Sequence, residues 1–151
     1  MAIEAHLAPI GSPVGIVGMT VEDAVAPWLS LGVGGGAGLS GAQGALFGRA
    51  RPWRNDHLAL AVEGGVSTGK YHPLCPAGID TAECMRGIDP FYVAWANVDV
   101  GLDVRFPSGV VFRAYLGAST PFYRGGACRN VDCSASVATL PFGGVSVGYA
   151  F

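Results

Sequence analysis

The chain has 151 residues, half of them hydrophobic, with only 13% Asp, Glu, Lys or Arg and a formal net charge of -2. High apolar content with little charge excludes a disordered chain, the absence of a basic excess argues against nucleic-acid binding, and the 24 glycines lack the three-residue period of collagen. The length fits one domain, residues 1–151, and the composition narrows the choice to a membrane protein or an unusually apolar β protein.

The longest stretch without a charged residue, Ala24 to Gly48, could span a bilayer as a helix of about 20 residues. It holds eight glycines and Pro27, and each glycine costs a helix interior about 1 kcal/mol, so a spanning helix is not expected. The dominant signal is period-2 alternation, the mark of strands with one apolar face. Ile3 to Ile10 sets Ile3, Ala5, Leu7 and Pro9 against Glu4, His6 and Ala8. Gly15 to Glu22 sets Val17, Met19 and Val21 against Gly18, Thr20 and Glu22. Trp28 to Gly36 alternates Leu29, Leu31 and Val33 with Ser30, Gly32 and Gly34. Ala42 to Trp53 places Gln43, Arg49 and Arg51 opposite Leu46, Gly48 and Ala50.

The second half is more regular. His57 to Tyr71 puts Leu58, Leu60, Val62 and Val66 on one face and Glu63 and Ser67 on the other. From Phe91 to Phe106, Tyr92, Val98, Val100, Leu102 and Val104 oppose Trp95, Asn97, Asp99, Asp103 and Arg105. Val110 to Phe122 opposes Phe112, Ala114 and Leu116 to Arg113, Tyr115 and Ser119. The chain ends with Val145, Val147, Tyr149 and Phe151 against Gly144, Ser146 and Gly148. These eight strands imply an antiparallel up-and-down barrel. Short turns are expected at Glu22-Asp23-Ala24, Arg54-Asn55-Asp56 and Pro107-Ser108-Gly109. Two short connections fall near Gly11 to Pro13 and Ala37 to Gly41. Two long polar ones, about 72–89 and 123–141, carry the cysteines.

Four cysteines allow three pairings. Local bridges, Cys75 with Cys84 and Cys128 with Cys133, are the simplest and imply an oxidising compartment. Neither segment has metal-ligand spacing, so no metal or cofactor is expected.

Alternation leaves open which face looks inward. A soluble barrel would turn Leu58, Val100 and Leu116 inward around an apolar ligand, as calycins and avidins do. A transmembrane barrel turns the apolar face to lipid and the polar face to a filled interior. Three features favour the second. The polar faces are rich in Gly, Ala and Ser, which suit a crowded lumen. Lys70 is the sole lysine, whereas a soluble surface needs many charges. The polar-face charges nearly balance: Arg49, Arg51, Arg105 and Arg113 meet Glu4, Glu22, Glu63, Asp99 and Asp103, with His6 available and Tyr115 among them. Trp53, Phe106 and Phe151 fit one aromatic girdle, and Tyr92 and Phe122 the other.

In this pattern the chain resembles the small eight-stranded outer-membrane β-barrels of Gram-negative bacteria, the OmpX-like and OmpA transmembrane-domain class. The C-terminal strand, Val145 to Phe151, with Tyr149 and the terminal Phe151, is similar to the signal read by that family's barrel assembly machinery. The resemblance implies an outer-membrane location and a lipid bilayer as partner. It also implies a signal peptide; Met1 to Ile10 has no basic leader, so a mature form is expected. Some barrels of this size modify lipid A with a Ser, a His and an acid. Here His57 flanks a turn, His6 lies on the inner face, and His72 heads a long connection, with Ser67 and Ser119 facing the interior near the same rim. No His-x-Ser pattern occurs. The leading expectation is a non-enzymatic barrel with a structural or surface-interaction role, meeting an extracellular ligand or protein through its cysteine-bearing loops. A soluble apolar-ligand carrier is the second reading and a lipid-modifying enzyme the third. A solute channel is not expected, because eight strands leave a lumen that side chains fill.

Overall fold

Alternation in eight segments closes into one sheet. In the computed structural model, which describes residues 1–10, 13–38, 41–71, 91–125 and 139–151, the strands are β1 (Ala2–Ile10), β2 (Val17–Ala26), β3 (Leu29–Gly38), β4 (Gly41–Arg54), β5 (Leu58–Tyr71), β6 (Phe91–Arg105), β7 (Val110–Gly125) and β8 (Leu140–Ala150). Each pairs antiparallel with its neighbours in sequence, and β1 pairs with β8 to close the barrel. Closure removes every free strand edge. The described residues contain no helix. Cys75, Cys84, Cys128, Cys133 and His72 lie outside the described residues.

The chain termini share one end of the barrel with three tight turns. At Asn55-Asp56-His57 the Asn55 carboxamide oxygen accepts from the backbone N–H of His57 at 2.9 Å and of Leu58 at 2.7 Å, as a short polar side chain in a turn can. At Pro107-Ser108-Gly109 the return needs a left-handed residue, and Gly109 supplies it with φ of 89°. The third turn is not at Glu22-Asp23-Ala24, where acidic residues suggested it. β2 continues to Ala26 and reverses at Pro27-Trp28. Glu22 is instead mid-ladder opposite Gly32, its carboxylate held inside by arginines described below.

Four irregularities shift the pleat. Ala50 pairs with Val62 but Trp53 pairs with Leu60, so Arg51 and Pro52 together stand opposite Ala61. This bulge leaves Arg51 buried and turns Trp53 outward, where strict alternation would have put it inside. In β7, Tyr123 pairs with Ala94 and Pro121 with Trp95; Phe122 is the extra residue, and both Phe122 and Tyr123 are exposed. In β1, Ala8 and Pro9 stand opposite the single Gly144. The fourth lies at Val25 in β2. Prolines in or beside three of these bulges occupy positions where the ladder is already interrupted.

Glycines on the inner face make room for two apolar residues. The Phe47 ring lies between its direct cross-strand partners Gly32 and Gly65. The chain between β1 and β2 folds inward, burying Val14 over Gly18 and Gly34, where an added Cβ would come within 2.8 Å and 2.7 Å of the valine methyls. Gly15, with φ of 92°, makes that inward fold possible.

A side chain at Gly32 would enter the Phe47 ring, whereas one at Gly64, on the outer face, meets nothing within 4 Å. Gly32→Val is therefore expected to cost about 1–3 kcal/mol by overpacking, and Gly64→Ala to stay within about 0.5 kcal/mol of the parent. Chemical-denaturation midpoints of the two variants check this; equal losses would mean that the inner face is not close-packed.

Candidate functional site

The polar faces of the strands converge on one network in the lumen. Arg49 on β4 is 1% exposed. Its Nη1 donates to Glu4 Oε1 of β1 at 2.6 Å and lies 3.1 Å from Glu22 Oε2 of β2, while its Nε donates to Glu63 Oε2 of β5 at 2.9 Å. One guanidinium thus meets three strands, two of them across the lumen. Its plane also lies 5.3 Å from the centroid of the Phe47 ring, a cation–π contact.

Arg51, two residues on, points the same way. Its Nη2 donates to Glu22 Oε1 at 2.7 Å, its Nη1 to Ser30 Oγ of β3 at 3.0 Å, and its Nε to Asp103 Oδ2 of β6 at 2.9 Å. Ser30 in turn donates to Glu22 Oε2 at 2.9 Å. Arg113 on β7 completes the set. Its Nη1 donates to Glu63 Oε2 at 2.9 Å, its Nη2 to Asp99 Oδ1, and its Nε lies 3.7 Å from Asp103 Oδ1. β8 enters through Ser146, whose Oγ donates to Glu4 Oε2 at 2.9 Å. Every strand of the barrel contributes at least one side chain.

The lumen collects all of the sequence-expected charges. Glu4, Glu22, Asp99, Asp103, Arg49, Arg51 and Arg113 are buried and Glu63 is nearly so. Arg105, at the end of β6, is only half-buried, and its Nε has no hydrogen-bond partner. Tyr115 is half-buried beside His6, ring centroids 6.0 Å apart, with the Arg113 guanidinium 5.4 Å from its own ring centroid. His6 Nε2 lies 2.7 Å from Thr20 Oγ1.

Several polar partners carried no charge signal in the sequence. Ser30, Thr20 and Ser146 are hydroxyls that occupy inner-face positions of otherwise small residues. Alternation placed them, but only the cross-strand register shows which charge each one meets. Asn97 forms a second, smaller cluster: its Nδ2 donates to Ser67 Oγ at 3.0 Å and its Oδ1 accepts from Ser119 Oγ at 2.6 Å. Both serines that an esterase reading would use are thus bonded to an amide. Among the described residues neither has a histidine beside it. His57 is exposed at its turn.

The outer face is apolar. Leu116 is 71% exposed and Phe151 75%, with Leu31, Leu46, Val98 and Val147 exposed between the ends of the barrel. Trp28, Trp53, Phe106, Tyr149 and Phe151 are exposed at the turn end, and Tyr92, Phe122 and Tyr123 at the other. Tyr149 and Phe151 meet edge to face at 5.1 Å between centroids. No known family model matches the chain, and no curated protein is significantly similar to it.

Removing Arg49 leaves three carboxylates short of a partner. Arg49→Met is expected to cost about 3–5 kcal/mol, the range for a broken buried pair. Arg54→Ala removes only an exposed contact to Pro27 O and is expected to change stability by less than about 0.5 kcal/mol. Equilibrium unfolding of the two variants measures the contrast; equal costs would mean that the lumen is wet enough to screen its charges.

Proposed function

We propose that the chain is a transmembrane β-barrel of a Gram-negative outer membrane, non-enzymatic, with a structural or surface-interaction role exercised through its two long cysteine-bearing connections. The observation that carries this reading is the inversion of the barrel: Leu116 is 71% exposed while Arg49 is 1% exposed. Water gives no reason to bury a guanidinium and expose a leucine, whereas a bilayer gives both. Transferring apolar surface out of water contributes about 25 cal/mol per Å², and the outer face offers an unbroken belt of such surface. The aromatic side chains at the two ends fit the two headgroup levels.

The soluble-carrier reading has less support. Leu58, Val100 and Leu116 would have to line its pocket, yet Val100 and Leu116 are exposed on the outside, and the lumen is charged rather than apolar. The lipid-modifying reading lacks a Ser–His–acid arrangement among the described residues. The role of the long connections rests on topology. The interior is filled and the turn end is short, so contact with a partner falls to residues 72–90 and 126–139, which join β5 to β6 and β7 to β8.

Three measurements test this. The protein is expected to require detergent and to migrate differently on gels before and after boiling. A monodisperse, detergent-free protein would overturn the membrane reading. In bilayers of bromine-labelled lipid, a variant retaining only Trp53 is expected to be quenched most strongly by bromines near the headgroups. Deleting both long connections should leave the heat-modifiable barrel intact and abolish any surface-adhesion phenotype; an unchanged phenotype would reduce the role to a structural one.

A further inference from the structure

The luminal charges do not cancel. Glu4, Glu22, Glu63, Asp99 and Asp103 are carboxylates; Arg49, Arg51, Arg113 and the half-buried Arg105 are their counter-charges. Among the described residues one positive charge is missing. A proton on His6 or a proton on one of the acids would supply it.

His6 is poorly placed to carry it. The residue is 7% exposed, its Nε2 faces Thr20 Oγ1 at 2.7 Å, and its Nδ1 has no hydrogen-bond partner. An imidazolium has an N–H on both nitrogens, and a buried N–H without an acceptor carries its full desolvation cost. A neutral ring leaves only a lone pair unmatched. Glu4, the nearest acid to His6 at 3.7 Å, is already engaged by Arg49 and Ser146.

The acids at Glu63 and Asp99 are arranged differently. They are direct cross-strand partners on β5 and β6, like charges face to face on one side of a sheet. Both bind the same guanidinium: Arg113 donates Nη1 to Glu63 Oε2 and Nη2 to Asp99 Oδ1. Both also line a cavity of about 20 Å³ together with His6, Thr20 and Tyr115, room for roughly one water molecule. His6 lines the same cavity, and its Nδ1 has no hydrogen-bond partner. Two acids and an acceptor nitrogen around one small space need a donor.

We propose that Glu63 and Asp99 form a proton-binding site, sharing one proton at neutral pH, and that a water in the adjoining cavity donates to His6 Nδ1. The shared proton leaves four negative charges against four guanidiniums. The groups facing the pair are Glu4 and His6 from β1, Glu22 from β2, Arg49 from β4, Asp103 from β6, and Arg113 and Tyr115 from β7; β3 and β8 present the uncharged Ser30 and Ser146. In the unfolded chain both acids lose their protons in the ordinary carboxylate range. The folded barrel therefore holds one proton more than the unfolded chain above that range. Unfolding releases it, so this site's contribution to stability falls as pH rises, by about tenfold in the folded-to-unfolded ratio per pH unit.

Infrared spectroscopy of the folded barrel is expected to show a protonated carboxyl stretch at neutral pH that shifts in deuterium oxide and disappears in Asp99→Asn and Glu63→Gln. Denaturation at a series of pH values should show the Asp99→Asn variant gaining on the parent by about tenfold per pH unit above the ordinary carboxylate range. His6→Gln should keep the carboxyl signal. Absence of that signal in the parent overturns the proposal and needs no variant to fold. So does a constant loss of stability for Asp99→Asn at every pH, which would make Asp99 a permanently ionised partner of Arg113. Loss of the pH dependence in His6→Gln would move the charge to the imidazole. Stability that requires sodium and fails in a bulky organic cation would place a metal cation in the cavity instead.

Discussion

A charge inside an eight-stranded barrel has to be answered by another side chain, because the lumen is only as wide as the residues that fill it. The rest of the structure follows from that constraint. Backbone ladders join each strand only to its neighbours, whereas the guanidiniums join strands that never pair. Arg49 ties β4 to β1, β2 and β5; Arg51 ties it to β2, β3 and β6; Arg113 ties β7 to β5 and β6. Ser146 brings in β8 through Glu4. Buried ion pairs of this kind often add little net stability, since desolvation offsets their attraction. What they add here is register. A slip of one residue would turn an entire face over, sending Glu63 and Asp99 outward and Val62 and Val100 inward. On the membrane reading that slip carries a further cost, because a cation at the lipid midplane is unfavourable by about 2–4 kcal/mol.

The glycines and the arginines are two aspects of the same packing problem. A guanidinium network occupies the turn-end half of the lumen, and Phe47, Val14, Tyr115 and Phe142 fill the space above it. Neither layer would fit if the inner face carried ordinary side chains: Gly32 and Gly65 give way to Phe47, Gly18 and Gly34 to Val14, and Gly101 to the Arg113 side chain. The cation–π contacts of Arg49 with Phe47 and of Arg113 with Tyr115 join the two layers. A small gap left between them is the cavity beside Glu63 and Asp99.

Much of this was legible in the alternation. Each of the eight strands overlaps its period-2 segment, although β2 runs through the expected turn to Ala26 and β7 and β8 extend into the expected connection 123–141, and Arg49, Arg51, Arg113 and the five acids share the lumen because alternation puts them on the inner face. Three things were not legible, for physical reasons. Cross-strand register is a property of pairs of segments, so the proximity of Glu63 to Asp99, or of Phe47 to two glycines, could not be read from any one of them. Bulges change parity without changing composition, which is why Trp53 faces outward although it lies on Arg51's side by simple counting. The acidic run Glu22-Asp23-Ala24 looks like a turn because Asp and its neighbours favour turns in water; inside the barrel, Glu22 is instead the common partner of Arg49 and Arg51. The inward fold of Pro13-Val14-Gly15 had no local signal beyond the glycine itself.

The distribution of polar groups also restricts where the molecule can act. Its side wall is apolar, and most charges of its lumen are buried and paired with one another. On the membrane reading, water-facing chemistry is confined to the two ends. At the turn end the chain reverses in Pro27-Trp28, Asn55-Asp56-His57 and Phe106 to Gly109, short segments in which Asn55 bonds the backbone of its own turn. The opposite end carries the long connections 72–90 and 126–139, which hold all four cysteines and four of the eleven acidic residues, Asp80, Glu83, Asp89 and Asp132. Sequence spent on long, cysteine-bearing segments at one end of a closed barrel is unnecessary for the barrel itself, since a short connection closes the same ladder at β3–β4. That asymmetry, more than any single residue, is the reason to look for the partner at the β5–β6 and β7–β8 rim.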